Sequence, residues 1–306
     1  MISASDISFP EETFKGGMWE GVLTATSSIS HTGETLGTIS YLRREKILSP
    51  EGKIIEIPII SGNSLRGRLR DIAADLWWHH TGRPQLPLAV ANAIWSGGSL
   101  TRTSGELLTG KKLWEVENVC PVINIFGAAG GGRLIDGAFN ISKVIPLCEE
   151  TAHLFPPDTV NETVRTVSFW NLLQIEYYTH NNQTYSTVQD NAWQDTPNRK
   201  TTKNTPPAQM RYGVETFIPG TKFHLRAHIT PGNPYGLSLL ADTFREYDRH
   251  ALLGGKTSIG HGNVTTHWTA QPEWFPHPHH PLFTLWKTAT TAPLTQTQHE
   301  ILARLQ

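Results

Sequence analysis

The stretch Ile57-Pro-Ile-Ile-Ser-Gly-Asn-Ser-Leu-Arg-Gly-Arg-Leu-Arg-Asp-Ile-Ala-Ala-Asp-Leu-Trp77 joins an apolar run, a Ser-Gly-Asn turn and a basic amphipathic segment. Its periodicity predicts a helix over Ser64 to Trp78. At about 100° per residue, Leu65, Leu69, Ile72, Ala73 and Leu76 form a core-facing stripe, with Arg66 and Arg70 on one flank and Arg68 on the other. Asp71 follows Arg68 by three positions and can pair with it, which leaves Arg66 and Arg70 as the candidates for an external anion. The unpaired N–H groups of a first helical turn, the helix dipole and the side chains around Ser61, Gly62, Asn63 and Ser64 all favour a phosphate there. Taken alone, the stretch reads more readily as a capped surface helix with solvated arginines.

Outward from this helix, Trp19 to Ser28 alternates as a strand, and Leu134 to Pro146 reads as another. Thr216 to Thr230 reads as a strand interrupted by Pro219-Gly220, which suggests a hairpin. Asn233-Pro234 opens a second helix as N-cap and first-turn proline, and Leu237, Leu240, Ala241, Phe244 and Tyr247 supply its buried stripe. Gly254-Gly255 is the expected stop, and Val264 to Trp268 a last strand. Strand, helix, strand, strand, helix, strand is the order of an α+β, ferredoxin-like (RNA-recognition-motif-like) fold.

Four segments in this order carry a family resemblance. Ser61-Gly-Asn-Ser-Leu-Arg-Gly-Arg-Leu-Arg70 resembles the (P/S)-G-(S/N)-S-L-(K/R)-G-x-(L/I/F)-R motif of the repeat-associated (RAMP) proteins that form the backbone of multi-subunit CRISPR effector complexes. Gly21 to Gly33 looks like that family's first strand and following loop, and Ile125-Phe-Gly-Ala-Ala-Gly-Gly-Gly-Arg-Leu134 like its (L/I)-F-G segment. Leu253-Gly-Gly-Lys-Thr-Ser-Ile-Gly-His-Gly-Asn-Val264 is similar to its glycine-rich loop. The resemblance covers less than half the chain. It implies one RAMP-type domain over residues 1–306, whose insertions at 29–60, 79–124 and 147–214 form finger, helical and thumb elements, followed by an extension at 270–306. The third insertion, polar from Asn181 to Pro207, would be the thumb.

With 26 basic and 27 acidic residues the chain has no global positive field, so nucleic-acid binding needs a local patch. Between Thr38 and Arg70 seven basic residues, among them Arg43, Arg44 and Lys46, face three glutamates, Glu45, Glu51 and Glu56, a local net charge of +4. A hairpin is expected around Ser49-Pro50-Glu51-Gly52. Two cysteines, Cys120 and Cys148, fit no metal spacing and no disulfide scaffold. The N-terminal residues lack the pattern of a signal peptide and no apolar run has membrane-spanning length, so a cytoplasmic protein without membrane association is expected.

Three catalytic or cofactor patterns fail on inspection. Gly255-Lys256-Thr257 has His250, not glycine, five positions before its glycine, so it is no P-loop. Gly127 to Gly132 lacks dinucleotide spacing. His277, His279 and His280 lie in a proline-rich tail with no completing cluster, and neither a metal nor any other cofactor is expected. In type III members of the family, target cleavage depends on an aspartate in the loop after the first strand; here no aspartate occurs from Ile7 to Arg70. His31 and Glu34 are the acid–base groups that remain in that loop.

The expectation is a non-catalytic CRISPR guide-RNA-binding backbone subunit, most like that of type IV effectors, which oligomerises head-to-tail for defence against foreign nucleic acid. Its expected partners are guide RNA, further copies of itself, other effector subunits and, through the guide, a complementary target. Arg43, Arg44, Lys46, Ser61, Gly62, Asn63, Ser64, Arg66, Arg70, Lys256 and His261 are the candidate RNA contacts. An RNA-cleaving type III backbone subunit and a guide-processing endoribonuclease are the alternatives.

Overall fold

The computed structural model describes residues 16–98, 108–157, 164, 166–180, 210–271 and 281–306. The thumb-like tract Asn181 to Pro207 and the tail histidines His277, His279 and His280 lie outside the described residues.

Strand β1 (Gly17–Ala25) is central because its alternation buries every second residue, Trp19, Gly21, Leu23 and Ala25. It pairs antiparallel with β12 (Lys222–Ile229) on one side and β13 (Val264–Gln271) on the other. Strand β12 in turn pairs with β8 (Phe139–Ile141) and, further along, with β9 (Ile145–Pro146). The resulting order β13-β1-β12-β8 is the ferredoxin-like arrangement expected from the order of elements.

Two helices pack against this sheet. Helix α1 (Gly62–His80) buries Leu65, Leu69, Ala73, Ala74 and Trp77; Leu65, Leu69 and Ala73 of the predicted stripe face the core, while Ile72 and Leu76 are half-buried at its edge. Helix α5 (Pro234–Arg249) starts where Asn233 accepts bonds from the N–H groups of Tyr235 and Gly236 at 2.9 and 3.4 Å. Phe244 of α5 stacks on Trp19 at a ring separation of 5.2 Å, and Phe139 and Trp268 meet Phe244 edge-on. Helix α5 ends at Arg249, and Gly254-Gly255 belong to the loop beyond it rather than to its cap.

The first insertion builds β2 (Thr32–Leu36), β3 (Ile39–Leu42), β4 (Arg44–Leu48) and β5 (Ile54–Pro58). Strands β4 and β5 form the expected hairpin, turning at Gly52 with φ +80°. The second supplies α2 (Leu88–Trp95), α3 (Gly110–Val119) and most of α4 (Pro121–Phe126). The third supplies β10 (Leu173–His180) and most of β11 (Met210–Phe217). Between α4 and β8 lies the short ribbon β6 (Ala128–Gly130) and β7 (Arg133–Ile135), so the long strand expected from Leu134 to Pro146 is three short pieces.

The expected hairpin across Pro219-Gly220 does not form. Strand β11 belongs to a second sheet, in the order β10-β11-β3-β2, and the turn passes the chain to β12 in the core sheet. The alternation on each side of the turn was legible; which neighbour each half pairs with depends on residues far off in sequence. After β13, a 3₁₀ segment (Pro281–Thr288) and helix α6 (Gln296–Ala303) return to the core. Trp286 is fully buried there and donates its indole N–H to Asp242 at 3.1 Å. Among the described residues no helix is long and apolar enough to cross a membrane.

Candidate nucleic-acid interface

Helix α1 begins at Ser61, whose extended backbone (φ −66°, ψ 138°) leads into the helix without a side-chain cap. No acidic residue occupies the first turn, so the positive end of the dipole has no negative side chain of its own. The N–H of Ser61 donates to His31 Nε2 at 3.2 Å, which fastens the loop after β1 to the helix start. Gly62 is required by close packing: a Cβ there would lie 2.5 Å from the carbonyl oxygen of Ser142. Asn63 is exposed and Ser64 half-buried at the same end.

The three arginines divide differently from the sequence expectation. Arg70 is buried, 7% exposed, and turned inward. Its Nε donates to Ile94 O at 2.7 Å and its Nη2 to Ala93 O and Gly127 O at 2.6 and 2.7 Å. Those carbonyls belong to the C-terminal ends of α2 and α4, whose last acceptors have no partners within their own helices. Burial, with the neighbouring charge of Arg66, lowers the Arg70 pKa to about 10, which still leaves it charged at neutral pH. Arg66 is half-buried and donates to Phe126 O at 2.8 Å. Arg70 is therefore not a surface phosphate ligand, and Arg66 has part of its donor set committed. The cause is the second insertion, which brings α2 and α4 onto the flank that looked solvated.

Arg68, set aside in the sequence reading as Asp71's partner, is the exposed arginine. It lines a cleft of about 300 Å³ between the first turns of α1 and the glycine-rich loop, with Ser64, Gly67, Asp71, Leu252, Gly254 and Thr257. Among the described residues no carboxylate lies within 4.0 Å of its guanidinium.

The facing loop is held at its neck. Gly255 N–H donates to Ser30 O at 2.6 Å and Gly262 N–H to Ser28 O at 2.9 Å. Gly254 has φ +79°, and a Cβ there would sit 2.3 Å from Ser30 O, so no side chain fits. Thr257, Ser258, Ile259 and Gly260 are exposed at the tip. Lys256 is half-buried, with its ammonium 5.8 Å from the centre of the Tyr212 ring. His261 is buried, 3% exposed, and bonded to Tyr178 Oη at 2.5 Å, so it does not reach the surface as a direct contact.

The basic cluster of the first insertion is largely paired with carboxylates. Arg44 is turned to Glu215 at 2.5 Å, whose other oxygen accepts from Leu42 N–H at 2.9 Å. Lys46 faces Glu56 across the β4–β5 hairpin at 3.8 Å, and Arg43 lies 3.7 Å from Glu45, which also pairs with Lys143. Arg43 and Lys46 remain exposed, on a cleft of about 480 Å³ that they share with Glu34 and Glu56. Glu215, from far along the chain, neutralises Arg44, whereas Lys143 adds a cation and competes with Arg43 for Glu45, so the patch keeps its net charge but has fewer free arginines than the local sequence suggests.

His31 is half-buried, and burial, with the charge of Arg43, holds its pKa below the ordinary value. Its Nε2 is occupied as an acceptor by Ser61 N–H, which makes it a helix-start fastener. Glu34 is exposed on β2. Both thiols are buried; desolvation raises Cys120 to about 12 and Cys148 to about 11, so both are unreactive as nucleophiles. No cluster of metal-ligating residues occurs among the described residues.

No family model matches the chain, and no curated protein matches it. Among solved structures, a chain of a type IV-B CRISPR complex aligns over 82% of this chain and 90% of its own length, at 26% sequence identity and a TM-score of 0.56. This chain is built like a subunit of a type IV CRISPR complex. The resemblance read from the four motifs and the match in three dimensions point to the same kind of complex and the same α+β architecture.

Proposed function

We propose that the chain is a guide-RNA-binding backbone subunit of a CRISPR effector ribonucleoprotein and that it acts without catalysis. The observation that carries this reading is the cleft between α1 and the glycine-rich loop, in a chain that shares the fold of a type IV CRISPR complex subunit. At its α1 side an uncapped first turn with no acidic residue and an exposed arginine provide donors, and the one lining carboxylate, Asp71, lies two turns further along the helix. At its loop side main chain with little side-chain cover allows close approach of a phosphate ribbon. Such contacts hold single-stranded RNA by its backbone and leave base edges free to pair with a target.

Arg68, Ser64, Asn63 and Thr257 are the central contacts in this reading, with Arg66 reaching in by its uncommitted donors and Arg43, Lys46 and Lys256 at the periphery. Repeated head-to-tail contacts between copies would give a filament whose length the RNA sets. The chain would work in the cytoplasm alongside other effector subunits, in defence against foreign nucleic acid.

The test is RNA binding by fluorescence anisotropy across a salt series, with two unrelated single-stranded sequences. Arg68→Ala is expected to weaken both equally and to reduce the slope of log K against log salt by about one. Loss confined to one sequence, or an unchanged slope, overturns the assignment of the cleft. Incubated with divalent metal, guide and complementary target are expected to stay intact. Cleavage abolished by Glu34→Ala or His31→Ala would replace the non-catalytic reading with a nuclease.

A further inference from the structure

The glycine-rich loop is tied at its neck by main-chain bonds, yet one buried side chain, His261, reaches from it into the second sheet. There His261 Nε2 lies 2.5 Å from Tyr178 Oη, and Tyr178 Oη–H donates to Glu176 Oε2 at 2.7 Å. Glu176 Oε1 accepts from Gln174 Nε2 at 2.9 Å and from Thr216 Oγ1 at 3.2 Å. His261 Nδ1 is buried without a hydrogen-bond partner.

Proton bookkeeping fixes the direction of this chain. The phenol has one proton. If it went to His261, the carboxylate would face a bare phenol oxygen at 2.7 Å, and the imidazole would bury an orphan Nδ1–H. If it goes to Glu176, His261 must carry its proton on Nε2 and donate, and the orphan at Nδ1 is only a lone pair. The second arrangement satisfies every proton, and each bond polarises the next.

We infer that His261, Tyr178 and Glu176 form a positioning relay, in which imidazole donates to phenol and phenol to carboxylate, that fixes the glycine-rich loop relative to the β10–β11 pair and so sets the width of the cleft facing Arg68. The inference rests on the reading of that cleft as an RNA site. None of the three need touch RNA. His261 was expected to do so, and the geometry gives it an inward role.

Two readouts on the full-length protein separate the parts of this inference. Tyr178→Phe deletes the middle oxygen, so His261 Nε2 loses its partner and Glu176 keeps only the bonds to its Oε1. Native-state hydrogen exchange at the Gly255 to Gly262 amides is expected to rise about tenfold while amides of α1 and α5 stay unchanged. RNA affinity is expected to fall with the salt slope unaltered, because no phosphate contact is removed. Glu176→Gln keeps an acceptor for the phenol and is expected to retain most of the loop protection. Loop exchange that does not change in Tyr178→Phe overturns the relay, as does a rise spread evenly over the whole chain. Faster loop exchange with unchanged RNA affinity overturns the link from loop to cleft. If the wild-type protein binds no RNA, the functional reading fails, and the exchange data alone decide whether the relay holds the loop.

Discussion

Replacing Arg70 by alanine should unfold this protein more readily than any other single change to the arginines of α1. The side chain is 7% exposed and makes three contacts of 2.6 to 2.7 Å to carbonyls at the ends of α2 and α4. A hydrogen bond to a charged donor is worth about 1.5–3 kcal/mol, and stranding a buried carbonyl costs a similar amount. Simple addition overshoots, because the acceptors relax and Arg66 still serves Phe126 O at 2.8 Å. The expected loss is about 3–5 kcal/mol, which places it among the large effects that breaking a buried network produces. Arg70→Lys keeps the charge but presents one ammonium to acceptors on two helices, and should recover less than half of the loss. Guanidinium unfolding followed by far-UV circular dichroism measures this as a lowered midpoint at constant slope. A variant as stable as wild type that has lost RNA binding would show that Arg70 points outward, and the inward geometry would be wrong.

Leu69→Ala, at the centre of the α1 stripe and fully buried, should cost about 2–5 kcal/mol in the same experiment; a loss below that would mean the site collapses around the smaller side chain. The pH dependence follows from His31, whose folded pKa lies below its ordinary 6.5. Below pH 6.5 the unfolded chain takes up a proton that the folded protein refuses, so stability is full above 6.5 and falls as pH drops toward the folded value. His31→Gln should flatten part of that slope, leaving the part due to His224, which is shifted in the same direction; an unchanged slope would remove His31 from the account. Cys120 and Cys148 should resist alkylation at neutral pH in the folded state and react only on unfolding, which mass spectrometry of iodoacetamide-treated protein would check; rapid native labelling would contradict their burial.

The core was legible because its signals are local. The stripe of α1, the Asn233 cap and the alternation of β1 each lie within one element, and together they order the ferredoxin-like frame. The charged groups were not legible in the same way. A helical projection places Arg66 and Arg70 on a flank but cannot say that α2 and α4 will cover it. Arg44 finds Glu215 across 171 positions of sequence, and Glu45 finds Lys143 across 98, so no local charge count anticipates either pair. Arg68 was set aside because Asp71 lies three residues away; the two do interact through their charges, but without a close ion pair, so the guanidinium keeps its donors free. His261 carried one faint signal: a histidine inside a glycine-rich run has to send its side chain somewhere.

The two-residue turn at Pro219-Gly220 constrains how this chain can vary in length. Strand β12 leaves it with Phe223, Leu225, Ala227 and Ile229 buried and Lys222, Arg226 and His228 exposed, in register with β1 from Lys222 to Ile229. One residue added or removed there would slide β12 by half its repeat and exchange those two sets between core and solvent. The turn is also where β11 departs from the second sheet, so slack introduced there would be felt in both sheets at once. Lengthening or shortening of the β10–β11 arm is therefore confined to its far end, and natural or engineered variants of the arm should differ in reach while keeping an invariant root.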